Sequence, residues 1–382
     1  MATAAKKRNG TLEFMRFVFC LTILFFHIGK MLLGGVSLKD GVHFALFPHG
    51  AMGVEFFFIL TGVFLAHSAE KQSLQSEKKI SILPDTLKYF NKKYISVFPQ
   101  HVVAFAVLFG VMVLIHLNMP NWSAWERLDT AVPSFFLIQM TGIMGVPLNH
   151  IEWYLSAMLI AILIVYPLSR LNFRIFSRYI APVASVGLFI WMCCEYPSLT
   201  GVTRPMYIGQ EFFIYKGLIR AVAEITLGTF VYSLGKYGLA PLADKIGKSA
   251  RIVLTAVEWI MYIAAVIITL LTLPYGWEYG ALAVIFVGVT LSYSGLTYSG
   301  ELLDNNVSYF LGRITLPVYL SQLAAIYAVN YYLPDDSDGM KVWAALVLTA
   351  VSSAVTMLAG DFLGNLFSGK YFKKKKKTQP AQ

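Results

Sequence analysis

Residues 12–33 read LEFMRFVFCLTILFFHIGKMLL, and this stretch decides what kind of fold the chain can have. As a helix rising about 1.5 Å per residue, it covers the roughly 30 Å of a bilayer's hydrocarbon core. Comparable apolar runs recur to residue 366, at about 44–67, 101–117, 150–169, 178–195, 216–235, 252–272, 279–297, 312–333 and 341–366. The 382 residues are 57% hydrophobic and 14% charged, with a mean hydropathy of +0.62. A soluble domain carries roughly 25% charged residues, so a soluble enzyme is excluded. The expectation is an all-α polytopic membrane helix bundle of about ten transmembrane helices spanning 12–366, between a basic N-terminus (1–11) and a basic tail (367–382). Segment 131–145 is apolar but short, and Pro133, Gly142 and Gly145 interrupt it. It reads as an interfacial or re-entrant piece.

Ten spans place both termini on one side, and the cations say which. Of the 31 Lys and Arg, 23 fall in the loops and ends of the side holding the termini, six fall on the other side, and Arg16 and Arg220 lie inside spans. An excess of that sign marks the cytoplasmic side. A net charge of +10 in such a chain therefore orients the protein and does not signal nucleic-acid binding. Lys6-Lys7-Arg8 before an apolar run imitates a signal peptide, but no small-x-small cleavage site follows, so the run reads as a retained first span. Cys20, Cys193 and Cys194 form no CxxC pair and read as packing thiols.

Charged groups at bilayer depth are costly, so each asks for a partner or a function. Glu13, Arg16 and His27 all lie in the first run. At about 100° per residue, the steps from Arg16 to His27 make three turns plus about 20°, and Glu13 falls within about 60° of both. All three share one helix face. The bland reading is a snorkelling ion pair beside a satisfied core histidine; the functional reading is a site. Arg220 and Glu224 repeat the theme at i, i+4, a spacing that neutralises itself locally. Glu55 and Glu152 have no local cation and read as outer-surface carboxylates, while His43, His49 and His150 sit near outer span ends. No GxxxxGK[ST], HExxH, GxSxG or dinucleotide-binding glycine pattern occurs, so nucleotide hydrolysis, zinc proteolysis and serine hydrolysis have no support.

These residues resemble the integral-membrane acyltransferase-3 family. Its first signature, an acid, two residues, Arg, ten residues and His, reads here Glu13-Phe14-Met15-Arg16 and then His27; its second reads Gly53-Val54-Glu55-Phe56-Phe57-Phe58-Ile59-Leu60-Thr61-Gly62. Trp153-Tyr154-Leu155-Ser156 and Leu311-Gly312-Arg313-Ile314-Thr315 through Tyr319-Leu320 match further family segments. Three departures stand out. Lys93 and Ser96 occupy the positions of a family Arg-x-x-Arg, both motif acids are Glu where Asp is usual, and Gln322 stands where many members have His.

The resemblance implies a bacterial cytoplasmic (inner) membrane O-acyltransferase that moves an acyl group, most often acetyl, from cytoplasmic acyl-CoA to a hydroxyl of an extracytoplasmic or lipid-linked saccharide. In that scheme His27 is the general base, with Glu13 and Arg16 beside it in the signature. Arg16, Lys92 and Lys93 hold the acyl-CoA phosphates, Lys92 supplying the charge that Ser96 lacks. Glu55, Trp153, Tyr154, Arg220, Glu224, Tyr319 and Gln322 support the site or the acceptor. The expected partners are acyl-CoA (acetyl-CoA above all), a saccharide or glycolipid acceptor and membrane lipid, with no metal and no nucleic acid. The acyl group, the acceptor and the oligomeric state are left open. Along the helix Glu13 lies about 20 Å from His27, so another span is the better place to seek the group that orients the imidazole. The rival class is a transporter or flippase for a lipid-linked glycan, with His27, Arg220 and Glu224 as a proton relay or headgroup site.

Overall fold

A computed structural model describes residues 9–34, 36–37, 43–44, 46–75, 81–117, 122–143, 147–209, 212–271, 273–274 and 276–367. The basic start up to Arg8 and the lysine tail from residue 368 lie outside the described residues. In chain order the elements are α1 (Gly10–Met31), β1 (Val36–Ser37), β2 (His43–Phe44), α2 (Gly53–Gln75), α3 (Ile82–His116), α4 (Ala124–Thr130), α5 (Val132–Phe135), α6 (Trp153–Leu171), α7 (Phe173–Ile175), α8 (Ala181–Glu195), β3 (Pro205–Ile208), β4 (Phe212–Tyr215), α9 (Lys216–Ser233), α10 (Lys248–Leu270), α11 (Trp277–Ser294), α12 (Ser299–Leu302), α13 (Asn306–Tyr332) and α14 (Asp338–Phe367). The four strands form two small antiparallel hairpins.

Among the described residues eight helices are long and apolar enough to cross a membrane. α11 and α13 occupy the other two expected spans with 18 and 27 residues, their apolarity lowered by residues such as Glu278, Arg313 and Gln322. The expected 101–117 span was too short, and the expected 68–100 loop is largely helix. α2 runs on to Gln75, and α3 is a 35-residue helix that starts at Ile82 and passes through Pro99. At about 1.5 Å per residue α3 is some 50 Å long, so its first turns stand clear of the hydrocarbon. Those turns mix apolar residues with Asp85, Lys88, Asn91, Lys92 and Lys93, so no unbroken apolar run marks them as helix. Among its described residues, 131–143, the segment expected to be interfacial or re-entrant holds short helical turns and no span.

Burial sorts the helices. In the apolar windows 78% of α2 and 72% of the α9 segment are buried, against 22% for α10 and α14. α2, α6 and α9 therefore form the middle, and α8, α10 and α14 turn most of their surface to lipid. α2 and α9 cross at two glycines: a Cβ on Gly62 would lie 2.0 Å from the Ile225 carbonyl oxygen, and one on Gly228 would lie 2.1 Å from that of Ile59. Apolar lipid gives helices no hydrophobic reason to associate, so such backbone contact is what holds them together. α1 packs against α2 and α13, and α3 against α6, α13 and α14.

Both ends of the described chain reach the same end of the bundle. Asn9 caps α1 and donates to the Ser292 carbonyl at 2.7 Å, while Gly360 near the end of α14 lies against Gln100 of α3. We call this the inner end. There Arg170 of α6 holds Asp85 of α3 at 2.8 Å, and Glu258 of α10 accepts from Ser292 and, at 2.7 Å, from Ser299. The α3–α6, α8–α9 and α10–α11 connections lie at the other, outer end, where His49 accepts from the Leu273 amide at 3.3 Å.

Candidate active site

α1 carries the first group of polar residues into the bundle. Arg16 Nη1 donates to Glu13 Oε2 at 2.8 Å, and that carboxylate lies where a Cβ on Gly312 would be, 1.9 Å away. Two of the sequence segments singled out above therefore meet physically, because only glycine at 312 leaves room for Glu13. Arg16 then faces a cavity of about 290 Å³ between α1, α2, α3, α6 and α13, which Lys93, Ser96, Tyr154, Thr315 and Tyr319 also line. Two cations from different helices thus share one largely apolar chamber.

Its upper wall leads to the histidine. Ile23 lines the cavity, and His27 follows one turn further along the same helix. His27 Nδ1 lies 3.2 Å from Gln322 Oε1, and Gln322 Nε2 donates to the Tyr319 carbonyl at 2.9 Å. The second bond decides the first. An amide whose NH₂ is committed to a carbonyl turns its oxygen to the imidazole, so Nδ1 carries the hydrogen and Nε2 keeps its lone pair. Tyr319 donates its hydroxyl to the Ile151 carbonyl, and Asn149 Nδ2 donates to the Leu320 carbonyl at 3.2 Å, tying the head of α6 to α13 beside this pair.

The other expected residues are distributed as follows. Lys92 lies outside the chamber, since adjacent helical residues point about 100° apart. It borders a polar cleft of about 460 Å³ with Gln100, Arg313, Asp361 and Asn365. Ser96 lines both spaces and is their common wall. A third cleft of about 520 Å³, lined by Asn9, His67, Tyr232 and Lys236 among others, meets the chamber at Arg16. The residues expected to bind an anion thus surround the inner mouth.

Glu55 and Glu152 are not outer-surface carboxylates; both are fully buried. Glu55 pairs with Arg220 Nη2, whose Nε also holds Glu224 Oε1 at 2.9 Å, so the Arg220–Glu224 pair is a buried triad joining α2 to α9. A guanidinium supplies several donors in a planar fork, which lets one Arg serve two carboxylates. Trp153 packs beneath the Arg220 guanidinium at 5.7 Å and against Phe58 at 6.0 Å, and Tyr154 lies 4.6 Å from the Phe58 ring. Glu152 Oε1 pairs with His101 Nδ1 at 2.9 Å, while His101 Nε2 meets the Phe135 carbonyl at 2.9 Å. His101 is a buried titratable residue that sequence reasoning missed. It stands at the first position of the span expected there, where a polar residue looks interfacial. Cys20 is buried with its thiol 3.4 Å from the Thr315 carbonyl, whereas Cys193 and Cys194 are exposed.

Taken chemically, the arrangement is an imidazole towards the outer end of the α1 stripe and Arg16 about 16 Å away at its inner end, where Lys93 of α3 joins it in the chamber. A family model described as an acyltransferase domain, that of the acyltransferase-3 family, matches residues 9–361. No curated protein and no solved structure matches the chain.

Proposed function

The chain belongs to the acyltransferase-3 family, and on that premise we propose that this multi-pass membrane acyltransferase moves acetyl from cytoplasmic acetyl-CoA to a hydroxyl of an extracytoplasmic or lipid-linked saccharide, in a bacterial inner membrane. The observation that carries the reading is the polarity of α1, with paired cations at the inner mouth of the chamber and an oriented imidazole towards its outer end. Arg16 and Lys93 hold donor phosphates by charge-assisted hydrogen bonds. The extended arm of the donor then carries the thioester along the apolar chamber towards His27. Lys92 and Arg313 flank the neighbouring cleft, which opens past Ser96, and provide the charge that the family's second arginine would bring.

At the reacting centre His27 Nε2 takes the acceptor's hydroxyl proton as the oxygen attacks the thioester carbonyl. The tetrahedral intermediate collapses with cleavage of the C–S bond, and the imidazolium returns its proton to the departing thiolate. Ester and free CoA thiol leave on opposite sides. Gln322 acts as a positioning residue: by accepting from Nδ1–H it keeps the basic nitrogen aimed at the acceptor. Arg220, Glu55 and Glu224 serve one another as a buried tie between α2 and α9, which leaves the relay of the transporter reading without its two cytoplasm-distal members. The test is purified protein in nanodiscs with radiolabelled acetyl-CoA and a panel of glycans. Label on a glycan supports the reading; glycan movement across a vesicle membrane without labelling overturns it.

A further inference from the structure

The reaction proposed above leaves one large space unused. At the outer end, a cleft of about 640 Å³ opens between the α4–α5 segment, the head of α6 and the β3–β4 hairpin. That volume lies in the usual range of small-molecule sites, roughly 300–1,000 Å³. Trp153 and Tyr215 offer aromatic faces, Asp129 a carboxylate, Thr130 and Thr203 hydroxyls, and Gln139 a carboxamide. Both amide atoms of Gln139 are shielded from solvent and have no hydrogen-bond partner among the described residues. Buried polar side chains are nearly always paired, so an amide unpaired at both ends is a donor and an acceptor awaiting a ligand.

The lip carrying Gln139 is firmly held. His101 meets the Phe135 carbonyl, Ser156 Oγ accepts from the Met140 amide at 3.0 Å, and Leu137 sits at φ 57°, a conformation that a leucine adopts only when its surroundings impose it. The buried Glu152–His101 pair thus serves to pin this lip to α3 and α6. His150, which precedes Glu152 at the head of α6, also lines the cleft.

Its charge is distinctive. Asp129 is the carboxylate of the lining, and no Lys or Arg is among the described residues that line the cleft. We propose that this cleft binds one pyranose ring of the acceptor, its apolar face against Trp153 and Tyr215 and its hydroxyls on Gln139 and Asp129, and that it selects a neutral or amino sugar over a uronic or sialic acid. The inference rests on the acyltransferase reading above.

The experiment measures acetyl transfer from radiolabelled acetyl-CoA, by the full-length protein in nanodiscs, to oligosaccharides ending in glucose, galactose, N-acetylglucosamine, glucosamine, glucuronic acid or sialic acid. Neutral or amino-sugar termini are labelled at least tenfold faster than acidic ones. Gln139→Ala and Asp129→Asn each raise the acceptor KM at least fivefold and leave the acetyl-CoA KM within twofold. Equal or faster labelling of acidic termini, or an unchanged acceptor KM in both variants, overturns this inference while the acyltransferase reading stands. A wild-type protein that labels no saccharide overturns both.

Discussion

Replacing Gln322 by Leu removes the amide proposed to position His27 while keeping a similar volume at a buried position. The Nδ1 to Oε1 contact is neutral and 3.2 Å long, and such a bond contributes about 1 kcal/mol net. Its loss frees the imidazole to place its proton on either nitrogen and to turn. The Tyr319 carbonyl, which accepts from Gln322 at 2.9 Å, loses that second donor and keeps its place in the α13 ladder. A misplaced base costs barrier height directly, and about 1.4 kcal/mol corresponds to tenfold in rate. The expected outcome is a kcat roughly fivefold lower with the acetyl-CoA KM unchanged, because Gln322 is not part of the chamber wall that Arg16 and Lys93 share. Steady-state transfer assays in nanodiscs give the split, and ¹⁵N-histidine spectra of wild type and variant give the tautomer. A kcat within twofold of wild type, or a tautomer that does not change, would refute the assignment of Gln322 as the positioning residue.

Lys93→Ala removes a charge-assisted contact of about 1.5–3 kcal/mol, so the acetyl-CoA KM should rise roughly 10- to 100-fold with kcat little changed; an unaltered KM would place the donor elsewhere. Arg220→Ala leaves two carboxylates buried without their cation and should cost about 3–5 kcal/mol, read as a large fall in the thermal unfolding midpoint in detergent. Glu224→Gln keeps the Glu55–Arg220 pair and should cost far less, with transfer retained; loss of transfer in a fully stable Glu224→Gln protein would revive a relay role.

What could be read from the sequence was whatever one helix contains. The stripe of Glu13, Arg16 and His27 and the Arg220–Glu224 spacing follow from helical periodicity alone, and the structure has them on α1 and α9 with Glu13 on Arg16 and Glu224 on Arg220. Pairs made between helices were not legible. Glu55 lacked a cation in its own segment and found Arg220 on α9, and Glu152 found His101 on α3. Gln322 in sequence reads as a missing histidine; its meaning came from α13 packing on α1, which sets its amide against His27. The first turns of α3 were read as loop because Asp85, Lys88, Asn91, Lys92 and Lys93 interrupt their apolar residues, whereas the stretch after His101 is an almost unbroken apolar run. The outer cleft was invisible for a related reason, being assembled from three connections far apart in the chain.

The central claim is that His27 is the base that activates the acceptor hydroxyl, and one variant tests it most directly. His27→Ala, inserted and folded as judged by size-exclusion profile and thermal midpoint, is given radiolabelled acetyl-CoA with a glycan that the wild type acetylates. Glycan labelling should fall by at least the 10²–10⁴-fold that a general base contributes, with acetyl-CoA still bound at Arg16 and Lys93. Acetylation at the wild-type rate by the folded variant would contradict the account.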